Sequence, residues 1–177
     1  MEILRLIRVY AEDKGLPFML IGGQAANYYG ISRQTGDIDL LVRSSDKDQW
    51  HSFLTRLSYK AGQNSSVFAR YRADLGTWPI DLMYVDDDTF KKIYDNAKDS
   101  DVNVGGVKVI SPEHLVMLKL HALKHFQPER FSKDYSDLIL LLKTGTAKMT
   151  KAELEGLCLK YATSELYEKI ISEVELA

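Results

Sequence analysis

The sequence predicts an α+β fold, a small sheet core over residues 1–110 followed by a helical C-terminal part over 111–177 packed on it. Three observations lead there. Short apolar or alternating runs, separated by turn residues, read as strands interleaved with helices up to about residue 110. From Ser111 onward the apolar spacing is helical throughout. No flexible linker, repeat or low-complexity stretch separates the two parts, so they are expected to pack as one unit.

In order, Met1 to Lys14 carries Ile3, Leu4, Ile7, Val9 and Tyr10 at helical spacing, and Gly15-Leu16-Pro17 stops that helix. Phe18 to Ile21 is a short apolar run, a buried strand. Gly22-Gly23 follows, and Gln24 to Tyr29 reads as a short helix closed by Gly30. Asp37 to Val42 is a strand. Asp46 to Leu57 is an amphipathic helix presenting Trp50, Phe53, Leu54 and Leu57. Val67 to Ala73 alternates Val67, Ala69, Tyr71 and Ala73 against Phe68, Arg70 and Arg72. Trp78 to Val85 alternates in the same way, and Gly76-Thr77 would join the two as an antiparallel pair. Thr89 to Lys98 reads as a helix, and Asn103 to Ile110, with Gly105-Gly106 inside, as a hairpin.

Ser111 is placed to cap a helix with Pro112 at its first position, and Leu115, Met117, Leu118, Leu120 and Leu123 form its inward stripe. Gln127-Pro128 breaks the chain before a second helix, Phe131 to Lys143, that turns Tyr135, Leu138, Ile139 and Leu141 inward. Thr150 to Ala162 and Ser164 to Val174 complete the helical part.

Bulk composition narrows the class. The 177 residues are 45% hydrophobic and 27% charged, ordinary for a globular protein. A formal net charge of -2 gives no global reason to expect nucleic acid, although a local basic patch is compatible with it. A single cysteine, Cys158, excludes an intrachain disulfide, and with no signal peptide the expected setting is the cytoplasm. No apolar run reaches the ~18 residues of a membrane-spanning helix, so no membrane partner is expected.

The chemistry concentrates in carboxylates. Asp37 and Asp39 stand two apart at the start of a strand, and side chains at i and i+2 share a face. Two carboxylates that close repel, and one would raise its pKa unless a cation lies between them. Oxygen-only ligands suit Mg²⁺ or Mn²⁺. Asp81, between apolar Ile80 and Leu82, projects from the opposite face of its strand to that pair. If the strands Asp37 to Val42 and Ile80 to Tyr84 neighbour each other in a mixed β-sheet, three carboxylates converge, as two-metal phosphoryl transfer requires. Gly22 and Gly23, between strand and helix, permit close backbone approach by phosphate.

The order strand, Gly22-Gly23, short helix, then Arg33-x-Thr35-x-Asp37-Ile38-Asp39-Leu40, resembles the nucleotidyltransferase superfamily of the DNA polymerase β type. Within it, the chain is most similar to the AbiEii-like nucleotidyltransferases of type IV toxin–antitoxin systems. The further points of likeness are the lysine-bearing segment Ser111 to Leu123 and the acidic-basic segment Arg130 to Leu138; the resemblance covers roughly 18 to 142. It departs at Gln24, where the family's motif has a small hydroxyl residue. The resemblance implies a nucleotidyltransferase core and transfer of a nucleoside monophosphate from an NTP to tRNA, a protein or a small molecule such as an antibiotic. It implies Asp37, Asp39 and Asp81 as catalytic metal ligands. It implies nucleotide contacts from Gly22, Gly23, Arg33, Thr35, Lys119, Lys133, Asp134 and Asp137, and a cognate antitoxin as a further partner.

Plainer readings compete. Lys119 sits within the apolar stripe, either snorkelling or buried with a task. Lys133, Asp134 and Asp137 also fit an ordinary solvated helix start. Arg33 also fits a surface ion pair, and Tyr28 and Tyr29 fit core filling better than base stacking. His121 and His125 are four apart on one helix, but no cysteine or glutamate stands at the spacing of a zinc motif. Cys158 reads as a small buried hydrophobe. A catalytically silent, nucleotide- or partner-binding protein of the same fold is the alternative function; retention of all three carboxylates favours activity.

Overall fold

The computed structural model describes residues 2–73, 76–101, 105–124 and 128–176, with 128–130 described by backbone alone. The chain divides into two compact units, Met1–Tyr28 with Arg33–Ser111, and Tyr29–Ser32 with Pro112–Ala177. His125 lies outside the described residues, as do Asn103 and Val104 at the start of the expected hairpin.

The first unit opens with α1 (Glu2–Lys14), whose Leu4, Ile7 and Ala11 are buried at the spacing of one helical face, while Leu6 and Val9 lie exposed. Gly15, at φ +63°, ends it, and the Leu16 amide donates back to the Ala11 carbonyl at 2.9 Å. Strand β1 (Phe18–Leu20) is buried throughout. Helix α2 (Gly22–Tyr28) starts two residues earlier than the spacing suggests, so the glycine pair is its first turn rather than a separate loop. Strand β2 (Ile38–Arg43) leads through a 3-10 turn at Ser44–Asp46 into α3 (Lys47–Arg56). Trp50, Phe53 and Leu54 of α3 are buried, with Phe53 stacked on Tyr10 and Trp50 edge-on to Phe18, whereas Leu57 is only half-buried.

Strand β3 (Lys60–Asn64) has no counterpart in the sequence reading. Its residues Lys-Ala-Gly-Gln-Asn are all exposed, and a polar run at a sheet edge carries no hydrophobic period to detect. Strands β4 (Phe68–Arg72) and β5 (Ile80–Val85) form the expected antiparallel pair. Helix α4 (Asp87–Tyr94) is capped by the Asp86 carboxylate, which accepts from the Thr89 amide at 2.9 Å; it ends before Lys98, which belongs instead to a strand. The hairpin is accordingly longer than 103–110: β6 (Lys98–Asp99) pairs antiparallel with β7 (Lys108–Val109).

Among the described residues the strands form one mixed sheet in the order β3-β4-β5-β2-β1-β7-β6. Strand β2 is central, parallel to β5 and antiparallel to β1. Alternation along β2 and β5 buries Ile38, Leu40, Ile80, Leu82 and Tyr84, which fixes the register that the polar residues between them must follow.

The second unit holds α5 (Pro112–Lys124), α6 (Pro128–Lys143), α7 (Lys151–Tyr161) and α8 (Ser164–Ile171). On α5 the buried residues are Pro112, Leu115, Val116, Lys119, Leu120 and Leu123. Met117 and Leu118, expected inside, are half-buried, because the inward face is the 112-115-116-119-120-123 stripe of a regular 3.6-residue helix. Leu138, Ile139 and Leu141 of α6 are buried as expected, while Tyr135 is half-buried and donates from its hydroxyl to Glu173 at 2.7 Å. A capping box starts α7: the Glu153 amide donates to Thr150 Oγ1 at 3.3 Å, and the Thr150 amide to Glu153 Oε2 at 2.8 Å. Cys158 is fully buried, and that burial pushes its thiol up to about 11. No helix among the described residues is long and apolar enough to cross a membrane.

Candidate active site

Parallel pairing places Asp39 of β2 directly beside Asp81 of β5. Asp37 stands one residue before β2, two from Asp39 and on its face. Oxygens of the three carboxylates lie within 4.8 Å of one another. Asp81 is buried; Asp37 and Asp39 are half-buried. The strands expected to be neighbours are neighbours, and the reason is steric: the apolar residues on either side of each aspartate must face the same way for the sheet to bury them.

The surroundings of this cluster account for the glycine pair. A Cβ on Gly22 would come within 2.0 Å of Asp39 Oδ2, and Gly22 holds φ at +61°. A Cβ on Gly23 would meet Arg33 Nη2 at 2.6 Å and Thr35 Oγ1 at 2.8 Å. The absence of both side chains lets the first turn of α2 sit against Asp39 and the Arg33–Thr35 loop. Thr35 Oγ1 in turn donates to Asp37 Oδ1 at 2.8 Å, and the Arg33 amide donates to Asn27 Oδ1 at 3.0 Å. So Gly22, Gly23, Arg33, Thr35, Asp37, Asp39 and Asp81 are brought together.

Arg70, on β4, is a site residue that the sequence pattern does not single out, since it reads there only as one of the alternating polar positions of its strand. It faces Asp81 in the antiparallel register. Its Nε donates to Asp81 Oδ1 at 2.7 Å, its Nη2 donates to Asp81 Oδ2, and the same Nη2 lies 3.6 Å from Asp37 Oδ2. This corrects the expectation that the carboxylates face one another with no cation until a metal arrives: a guanidinium already stands among them. The hydrogen bonds and charge of Asp81, then the charges of Asp37 and Asp39, hold the Arg70 pKa above its ordinary value.

The remaining candidates lie in the second unit. Lys119, 4% exposed, donates from Nζ to Asp134 Oδ1 at 2.7 Å and to Asp137 Oδ2 at 2.6 Å. The lysine is therefore buried with two carboxylate partners rather than snorkelling. Lys133 is exposed on α6.

The donor set at the triad, three carboxylates with no nitrogen or sulfur ligand, matches a hard divalent ion, and the missing Gly22 side chain is what lets Asp39 hold its place in that set. A mixed sheet carrying a paired Asp-x-Asp and a third aspartate from the adjacent parallel strand, with glycines at the start of the helix that precedes the Asp-x-Asp strand, is the arrangement of a nucleotidyltransferase core. The chain belongs to the family described as "nucleotidyl transferase of unknown function (DUF2204)", whose profile matches residues 1–155, and it is an enzyme of that class. No curated protein matches the chain. Among solved structures, the antibiotic-resistance factor ANT(2'')-Ia in solution superposes with a TM-score of 0.65 at 14% identity, over 95% of this chain and 97% of that one. An antigenic nucleotidyltransferase-like protein from Paracoccidioides brasiliensis gives 0.55 at 16% identity, over 99% and 93%. The lincosamide antibiotic adenylyltransferase LnuA gives 0.56 at 16% identity, over 78% and 95%. At such identities these likenesses establish the shared fold.

Proposed function

We propose that this protein transfers a nucleoside monophosphate from an NTP to an acceptor hydroxyl with the help of Mg²⁺ or Mn²⁺, held by Asp37, Asp39 and Asp81. The observation that carries the reading is the convergence of the three carboxylates from two register-paired strands. A divalent ion bound there supplies charge neutralisation to the triphosphate and activation of the attacking oxygen. The acceptor oxygen bonds to the α-phosphorus, the bond to pyrophosphate breaks, and the acceptor proton passes to Asp81. In this reading the phosphates meet the backbone at Gly22 and Gly23, with Arg33 and Thr35 as further contacts; the two missing side chains bring the first turn of α2 against Asp39, Arg33 and Thr35. Lys119, with Lys133, Asp134 and Asp137, keeps its proposed nucleotide-binding role on the strength of the AbiEii-like segments. The proposed division of labour follows the sequence: catalysis in the core over 1–110, further contacts from the helical part over 111–177.

The acceptor classes follow from two supports. The AbiEii-like resemblance favours tRNA or protein, a toxin role and a cognate antitoxin. The structural neighbours that modify antibiotics favour a small hydroxylated acceptor. The test is incubation with each α-labelled NTP, Mg²⁺ or Mn²⁺, and in parallel total tRNA, cell lysate, tobramycin and lincomycin. Label should appear in one acceptor class with wild type and vanish with Asp37→Asn/Asp39→Asn. The same labelling with the double variant would remove the triad from the mechanism, and no labelling under any condition would favour the catalytically silent reading.

A further inference from the structure

Arg70 and Asp81 form a two-point pair across adjacent antiparallel strands, Nε to one oxygen and Nη2 to the other. This is the fork geometry in which a guanidinium satisfies a carboxylate most completely. Asp81 is the most buried member of the triad, and its side chain is 5% exposed. Arg70 leans past it toward Asp37, 3.6 Å from Nη2 to Oδ2. Its own side chain is 34% exposed, so it has a route out to solvent. A cation coordinating all three carboxylates would have to take an oxygen that Arg70 now holds, and to enter beside a positive charge.

We propose that Arg70 is a built-in counter-cation that competes with the divalent ion for Asp81. In the metal-free protein it keeps the three carboxylates together and neutralises the buried one. The resting site then offers a divalent ion Asp37 and Asp39 alone. Asp81 becomes a ligand, and becomes available to accept the acceptor proton, once the guanidinium has turned outward. Arg70 is thus a positioning residue that makes ion entry and readiness of Asp81 one event. The inference rests on the metal-dependent reading above.

The test is titration of the free protein with Mn²⁺, followed by the loss of the free-ion EPR signal, without nucleotide. Arg70→Gln should bind Mn²⁺ about tenfold more tightly than wild type, because both the competing hydrogen bonds and the repelling charge are gone. Arg70→Lys keeps the charge but not the fork, and should fall between the two. Without metal, Arg70→Gln should melt below wild type, since Asp81 is left buried without its partner; Mn²⁺ should restore more of its melting temperature than it adds to wild type. If Arg70→Gln is unfolded without metal, Mn²⁺ should fold it, as followed by circular dichroism. Equal or weaker Mn²⁺ binding by a folded Arg70→Gln, or failure of Mn²⁺ to fold an unfolded one, overturns the competition. Asp37→Asn/Asp39→Asn is the separate control: if it binds Mn²⁺ as wild type does, the metal site itself is misplaced, and that failure is distinct from one confined to the Arg70 variants.

Discussion

Gly15 and Gly22 hold nearly the same left-handed backbone, φ +63° and +61°, in different surroundings. An added Cβ at Gly15 meets nothing within 4 Å; at Gly22 it would strike Asp39. The pair separates a conformational demand from a functional one. Gly15→Ala should cost about 1 kcal/mol, the ordinary penalty of a left-handed L-residue, and leave nucleotidyl transfer intact. Gly22→Ala carries the same penalty and also displaces Asp39 from the triad; transfer should fall by about 100-fold, the scale of an ångström-size misplacement. Parallel melts and labelling assays on the two variants check this, and equal activity in both would mean that the position of Asp39 does not limit the reaction. Arg70 illustrates the converse at this scale. Its importance lies in a partner on another strand, 11 positions along the chain.

Helix and strand ends are where local sequence and observed structure agree most closely. Gly15 after α1, Thr150 before α7 and Thr163 before α8 all stand where their side chains or φ angles are needed. One terminus breaks the pattern. Beyond α3, the Ser58 amide donates to the Thr55 carbonyl and the Tyr59 amide to the Leu54 carbonyl, each at 3.0 Å. This crossed pair is a Schellman arrangement, and its left-handed position is filled by Ser58 at φ 65° rather than by glycine. Ser58→Gly should therefore raise unfolding free energy by roughly 0.5–1 kcal/mol, measured by denaturant melts, with activity unchanged. A destabilised Ser58→Gly would show that the serine side chain contributes more than its backbone strain costs. Among strands, legibility follows burial. Strands β2 and β5 announce themselves by apolar alternation, whereas exposed β3 is held by its ladder with β4 and leaves no periodic trace.

For the whole molecule, the triad couples a local charge problem to global stability. A divalent ion that binds only the folded chain stabilises it by mass action. At about 100 times its dissociation constant, Mn²⁺ should raise the wild-type melting temperature by roughly 5–10 °C. Asp37→Asn/Asp39→Asn should show little shift, and calorimetry on both proteins reads the difference. Equal shifts would place the ion elsewhere. The metal-free cost expected from three clustered carboxylates is lessened by Arg70, so the double variant gains less apo stability than bare repulsion would suggest.

The sequence by itself determined the α+β class, the helix that follows the glycine pair, and the shared face of Asp37 and Asp39. Each depends on residues near one another in the chain, where hydrophobic period, turn chemistry and the two-residue repeat of a strand act directly. It also pointed to Asp81, because an acidic residue between buried apolar neighbours needs a reason to be there. Only the tertiary structure decided what meets Asp81. A tight turn at Gly76-Thr77 would place Arg72 opposite it, whereas the observed register places Arg70 there and leaves Arg72 exposed. Both arginines alternate onto the same face, so period alone cannot choose between them; the register is fixed by packing Ala69 and Tyr71 against Leu82 and Ile80. The same holds for Lys119: its place in the apolar stripe was visible in the chain, but its burial between Asp134 and Asp137 depends on how α6 lies along α5. Cross-element partners of this kind are set by three-dimensional packing, which no local pattern encodes.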